Sequence, residues 1–240
     1  MISVNHQDSI HAAPPMTRAL GPDKGRHKAK RKRKGPIQNR SAWVTFVNMK
    51  LVLATQNPYK IAELTKALPS HWELISAKAM GMTEDIPETG DSLAANALIK
   101  ARAIHERFGQ PAMSDDTGLE VMSLDGQPGV HSARYAGPSC DDKANRIKLL
   151  KALSKHSDRR AQFRTVVALI DEEGEHLFEG VARGIILEKE QGEGGFGYDA
   201  LFQSDDLPNR SFAEVSLEEK NAVSHRGKAV REFIAFMHHA

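Results

Sequence analysis

The stretch Lys50-Leu51-Val52-Leu53-Ala54-Thr55-Gln56-Asn57-Pro58-Tyr59-Lys60 decides the fold class. Its apolar start has the length and character of a strand, and Ile61, Leu64 and Leu68 then recur at helical spacing. Between them, Asn57 suits an N-cap and Pro58 the first helical position, where no N–H is needed. The segment therefore reads as strand, tight turn, helix. Lys60 stands in the first helical turn, where a cation beside the positive end of the dipole is mildly unfavourable unless an anion sits between them. Taken alone, the turn fits either a phosphate site or an ordinary capped helix with a solvated lysine.

Working outward, a second helix is predicted over residues 92 to 108, closed by Gly109 and Pro111, and a third over 141 to 156 with Ile147, Leu150 and Leu153 on one face. Residues 162 to 170 and 176 to 183 read as strands joined across Asp171-Glu172-Glu173-Gly174. Residues 198 to 202 also look like strand, and the chain closes with a helix over 226 to 237. Strands and helices mixed in this order indicate an α/β or α+β domain with a largely continuous sheet.

Composition divides the chain. The net charge of +2 conceals ten Lys/Arg against two acids in residues 1 to 48, which makes that segment about +8 and the remainder about −6. The basic block Lys28-Ala29-Lys30-Arg31-Lys32-Arg33-Lys34 repels itself and cannot bury a face, so residues 1 to 48 are expected to be a disordered extension and 49 to 240 the folded domain. No apolar stretch approaches membrane-spanning length. The lone Cys140 rules out an intramolecular disulfide, and with no apolar signal region the expected compartment is the reducing cytoplasm.

Four further segments can carry chemistry. Glu84-Asp85-Ile86-Pro87-Glu88-Thr89-Gly90 places acids before a helix, and Asp115-Asp116-Thr117-Gly118 places two more after what reads as a short strand. Magnesium takes one or two carboxylates plus water and phosphate oxygens, so two segments giving an acid each suit a metal–polyphosphate site; helix capping and turn formation use the same residues. Gly192-Glu193-Gly194-Gly195-Phe196-Gly197 matches the dinucleotide fingerprint formally but stands late in the chain and leads toward a strand, so it is not read as one. Its Phe196 suits stacking on a base, or anchoring a glycine-rich turn. Finally, Ser216-Leu217-Glu218-Glu219 is a capping box, bringing Lys220 onto a short helix shortly before His225-Arg226-Gly227.

From Met49 onward the chain resembles the inosine triphosphate pyrophosphatase family, the non-canonical purine NTP pyrophosphatases. Five segments occur in the family's order: Thr55 to Lys60, Glu88-Thr89-Gly90 with Asn96-Ala97, Asp115-Asp116-Thr117-Gly118-Leu119, Gly194 to Asp199, and Ser224-His225-Arg226-Gly227. The resemblance implies an elongated α/β domain with a central mixed sheet, two lobes and an active-site cleft between them, working as a cytoplasmic homodimer on ITP, dITP and XTP. It implies that Thr55, Gln56, Asn57, Pro58, Tyr59 and Lys60 grip the triphosphate. Glu88 and Asp116 would bind Mg2+, with Asp116 also the proton acceptor. Thr117, Phe196, Gly197, Tyr198, Asp199, Lys220, His225 and Arg226 would contact substrate, Phe196 by stacking on the purine. Two departures stand out: Gln56 replaces the usual glycine and puts the phosphate-loop geometry in question, and Thr117 replaces the commoner serine but keeps a hydroxyl. The rival readings are a pyrophosphatase for modified pyrimidine nucleotides and a nucleic-acid binder acting through residues 24 to 40. An acidic domain and a basic block without aromatics argue against the second.

Overall fold

A computed structural model describes residues 49–239. The expected basic extension over residues 1 to 48 lies outside the described residues. The elements run β1 (Lys50–Leu53), α1 (Pro58–Ala67), β2 (Glu73–Ser76), α2 (Leu93–Phe108), β3 (Ala112–Val121), β4 (Pro128–Gly129), α3 (Asp142–Ala152), β5 (Arg160–Asp171), β6 (Gly174–Ile186), β7 (Phe202–Ser204), α4 (Leu217–Val223) and α5 (His225–His239). One mixed sheet in the order β2-β1-β3-β5-β6-β7 holds them, with β4 paired to β3. β1 is parallel to β2 and β3, whereas β3, β5, β6 and β7 are antiparallel in succession. The expected central mixed sheet is thus present. No helix among the described residues is long and apolar enough to cross a membrane.

The opening stretch folds as read, with Asn57 capping α1 and Pro58 in its first turn. Ser92 caps α2 and Gly109 ends it in the left-handed conformation, φ 62°. The β5–β6 hairpin is longer than predicted, because twelve register pairs run from Arg160↔Ile185 to Asp171↔Gly174. Two readings need correction. Asp115 and Asp116 lie in the middle of β3, not beyond a short strand: its ten residues pair with β5 throughout. Residues 199–201 form a 3-10 turn before the short β7. There Asp199 accepts the N–H of Phe196 at 2.9 Å, a local side-chain bond that competes with strand pairing.

Helices cover both faces of the sheet. Along β5, Val167 and Leu169 pack with Ala229, Val230 and Phe233 of α5 and with Leu64 of α1. The alternate residues Val166, Ala168 and Ile170 pack with Leu93, Ala97 and Ala101 of α2. The period of two is the strand pleat. It carries onto β3, where Met113 joins the α5 side while Ser114 donates to Ala97 O of α2 at 2.5 Å. Asp115 must therefore face α5 and Asp116 face α2. Two glycines let α5 come close. A Cβ on Gly180 of β6 would lie 2.0 Å from His225 O, and one on Gly227 would lie 1.9 Å from Asn221 O at the α4–α5 corner. These contacts fix the first turn of α5, which holds His225 and Arg226.

Candidate active site

The first turn of α1 forms one wall of a cleft. Asn57 Oδ1 accepts the N–H groups of Tyr59 (2.9 Å) and Lys60 (3.3 Å), and Thr55 Oγ1 accepts that of Asn57 (3.2 Å). Asn57 and Lys60 line the cleft; Thr55 and Gln56 line an adjoining cavity that shares Asn57, Lys60 and Glu88 with it; Pro58 is exposed, and exposed Tyr59 lines a second adjoining cavity that shares Phe196 and Gly197. Gln56 is not among the residues with positive φ, so this loop does not require glycine at that position. Lys60 Nζ lies 3.1 Å from Asp115 Oδ2. Burial lowers the Lys60 pKa, and Asp115 only partly offsets this.

The two neighbouring aspartates have opposite environments. Asp115, 1% exposed, receives Lys60 and the Arg226 guanidinium, the latter at 3.0 Å and 3.2 Å. Burial favours its neutral form, yet Lys60, Arg226 and Lys100 outweigh that and hold the carboxyl far below its usual range. Asp116 lines the cleft and meets Lys100 Nζ at 2.8 Å and Asn96 Nδ2 at 3.5 Å. Here burial dominates and raises the pKa, with Lys100 and Lys60 opposing it. The two carboxyls are pushed apart in this way: Asp115 is held ionised, and Asp116 takes up a proton more readily.

Lys100 of α2 reaches Glu88 Oε1 at 3.0 Å, Asp116 Oδ1 at 2.8 Å and the Asp115 carbonyl at 2.8 Å. Burial works against its ammonium, but Asp116, Asp115 and Glu88 together raise its pKa. The Lys100 ammonium thus bridges Glu88 and Asp116, so the two carboxylates converge on one positive charge. Among the described residues no group of three or more His, Cys, Asp or Glu that could hold a metal ion is found; Glu88 and Asp116 offer two carboxylates, the number magnesium uses when water and phosphate oxygens fill its other positions. Arg134 pairs with the other oxygen of Glu88 at the cleft mouth.

On the far side, Phe196, Gly197, Tyr198, Asp199, Lys220, His225 and Arg226 line the cleft together with Asp116 and Thr117. Lys220 Nζ bonds Asp199 Oδ2 at 2.5 Å and Glu63 Oε1 at 2.7 Å. Arg226 bonds the other Glu63 oxygen and Thr117 Oγ1, the latter at 3.1 Å. A buried ionic chain Asp199–Lys220–Glu63–Arg226–Asp115–Lys60 therefore spans the cleft from ring side to α1 side. Tyr198 is a strut, its hydroxyl donating to Ser132 O at 2.8 Å from within the core. His225 stacks on Phe163 with centroids 4.5 Å apart. Burial, then Arg226 and Lys220, push its pKa well below the usual value, so it is a neutral imidazole rather than a third cation.

The structure brings the sequence-derived site residues other than Thr55, Gln56, Pro58 and Tyr59 into one cleft, puts Thr55, Gln56 and Tyr59 in cavities adjoining it, and adds Glu63, Lys100 and Arg134. Lys100 carried a signal: it falls on the apolar stripe Leu93, Ala97, Ala101, Ile104 of α2, where a charge must be paired. Glu63, beside Leu64 on the buried face of α1, carried the same one.

A cleft in this α/β protein with cations and paired carboxylates on one side and an aromatic ring on the other has the chemistry to receive a nucleotide. The chain belongs to the Ham1 family, whose profile matches residues 51–236. It is 49% identical over 192 residues to a dITP/XTP pyrophosphatase of Christiangramia forsetii, covering 79% of this chain and 99% of that one. A dITP/XTP pyrophosphatase of Porphyromonas gingivalis is likewise 49% identical over 192 residues, covering 78% and 97%. Among solved structures, a HAM1 protein from Coxiella burnetii superposes with a TM-score of 0.72 at 38% identity, covering 80% of this chain and 100% of that one.

Proposed function

We propose that this chain hydrolyses the non-canonical purine triphosphates ITP, dITP and XTP to the monophosphate and pyrophosphate, clearing deaminated purines from the nucleotide pool. The observation that carries the reading is the position of Asp116 in the one cleft that has Lys60 and Asn57 on one wall and Phe196 on the other. A nucleotide with its base on Phe196 and its phosphates toward Lys60 presents the α-phosphorus between them, beside the carboxylate able to take a proton. The names of the relatives from Christiangramia forsetii and Porphyromonas gingivalis support the same substrates.

In this mechanism Asp116 accepts the proton of the water that attacks the α-phosphorus, and pyrophosphate leaves. Glu88 and Asp116 would hold Mg2+, which would neutralise charge on the phosphate oxygens and orient them. Lys100 supplies fixed positive charge, Lys60 offers its amine to the phosphates, Asn57 and Thr55 shape the turn that receives them, and most of the rate comes from positioning and electrostatics. Asp199, Lys220, His225 and Arg226 complete the base pocket with Tyr198 as its support. A 6-keto purine offers an acceptor to donors there, whereas adenine offers an amino group and leaves them unpaired. The enzyme acts as a homodimer in the cytoplasm, and catalysis belongs to residues 49 to 240.

Turnover of a nucleotide panel checks the assignment. ITP and XTP are expected to be cleaved readily, with ATP and pyrimidine triphosphates slower by roughly a hundredfold or more, since a site built to pair a polar edge rejects analogues that leave it unpaired. Comparable turnover of ATP would sink the reading.

A further inference from the structure

Tyr59 has no place in the cleft lining, yet it is not idle. The residue is 55% exposed and its ring lies parallel to that of Phe196, with centroids 5.3 Å apart and planes 12° apart. Phe196 itself is in the cleft lining and also faces buried Lys220, whose Nζ lies 4.9 Å from the ring centroid. Its backbone is well anchored: its N–H donates to Asp199 at 2.9 Å, and the next residue, Gly197, bonds Asp142 and Arg146 at 2.8 Å each. Its neighbours Gly195 and Gly197 have no side chains to brace the ring. The large side chain packed parallel to it on the solvent side is Tyr59.

We propose that Tyr59 is a positioning residue that backs Phe196, so that Phe196 presents a fixed aromatic face to the purine. This rests on the proposed function, in which Phe196 carries the base. Tyr59 belongs to the same helical turn as Asn57 and Lys60, so one rigid turn sets both the phosphate wall and the base platform. The contact depends on the ring, not on the phenol, which makes no hydrogen bond with the described residues. Losing such a stacked pair weakens what it supports by about three- to tenfold.

The test compares Tyr59→Ala and Tyr59→Phe with the wild type in the full chain. KM for ITP and kcat are measured, along with inhibition by IMP and by inorganic pyrophosphate. Tyr59→Ala is expected to raise KM for ITP and the inhibition constant of IMP by about three- to tenfold, with kcat changed less than about twofold, the pattern of lost uniform binding. Pyrophosphate, which carries no base, should inhibit both proteins equally, and Tyr59→Phe should restore wild-type values. Unchanged IMP inhibition in Tyr59→Ala would overturn the proposal, as would equal weakening of IMP and pyrophosphate, which would mark a disturbed helical turn instead. Failure of the functional reading is seen separately: the wild type itself would then not distinguish ITP from pyrimidine triphosphates.

Discussion

Asp116→Asn is expected to lower kcat by on the order of a hundredfold or more, the lower range for a lost general acid–base group, with the fold intact. The carboxamide is close in size and its oxygen can still accept from Lys100, which lies 2.8 Å from the native carboxylate, while the bond from Asn96 Nδ2 is given up. What disappears is the charge that accepts the proton and helps hold the cation. Glu88→Gln removes only a cation ligand and should instead raise the magnesium requirement, with partial rescue by excess metal. Single-turnover kinetics across a magnesium titration, with circular dichroism on each variant, separates the two. Near-normal turnover of Asp116→Asn at saturating magnesium, with Asp115→Asn inactive, would place the catalytic carboxylate one residue earlier.

Asp115→Asn is expected to act mainly on stability, costing about 3 kcal/mol, the lower end for breaking a buried ion pair by removing one partner. Asp115 is the shared counter-charge of Lys60 and Arg226, and Arg226 is 1% exposed. Without it Arg226 keeps, among the described residues, only Glu63 as an anionic partner, and Lys60 loses the carboxylate that holds it. A loss of this size is a fall of more than a hundredfold in the folding equilibrium constant, read as a lower urea midpoint with an unchanged slope. A midpoint equal to that of the wild type would show that the ionic chain across the cleft contributes nothing to stability.

The sequence made the strand-turn-helix opening legible because Asn57, Pro58 and the apolar spacing are local signals, and α2 because Ser92 and Gly109 mark its ends. The position of the aspartates was harder to read, since Ser114, Asp115, Asp116 and Thr117 interrupt β3 with polar residues whose partners lie far along the chain in α2, β5 and α5. A polar run looks like a turn until those partners are known. Glu63 and Lys100 carried the signal of a charge on a buried helical face, but the partners that explain them, Lys220 and Arg226 for one and Asp116 and Glu88 for the other, are brought to them only by the fold. The neutrality of His225 also depends on tertiary burial and on two cations brought beside it by α4 and α5. The family resemblance found the site because it carries that long-range information in five short segments.

The most direct test of the central claim is hydrolysis of ITP in water enriched in oxygen-18, with mass spectrometry of both products. Attack at the α-phosphorus with Asp116 taking the proton predicts IMP carrying one heavy oxygen and unlabelled pyrophosphate. Label in pyrophosphate, or release of IDP and inorganic phosphate, would contradict it.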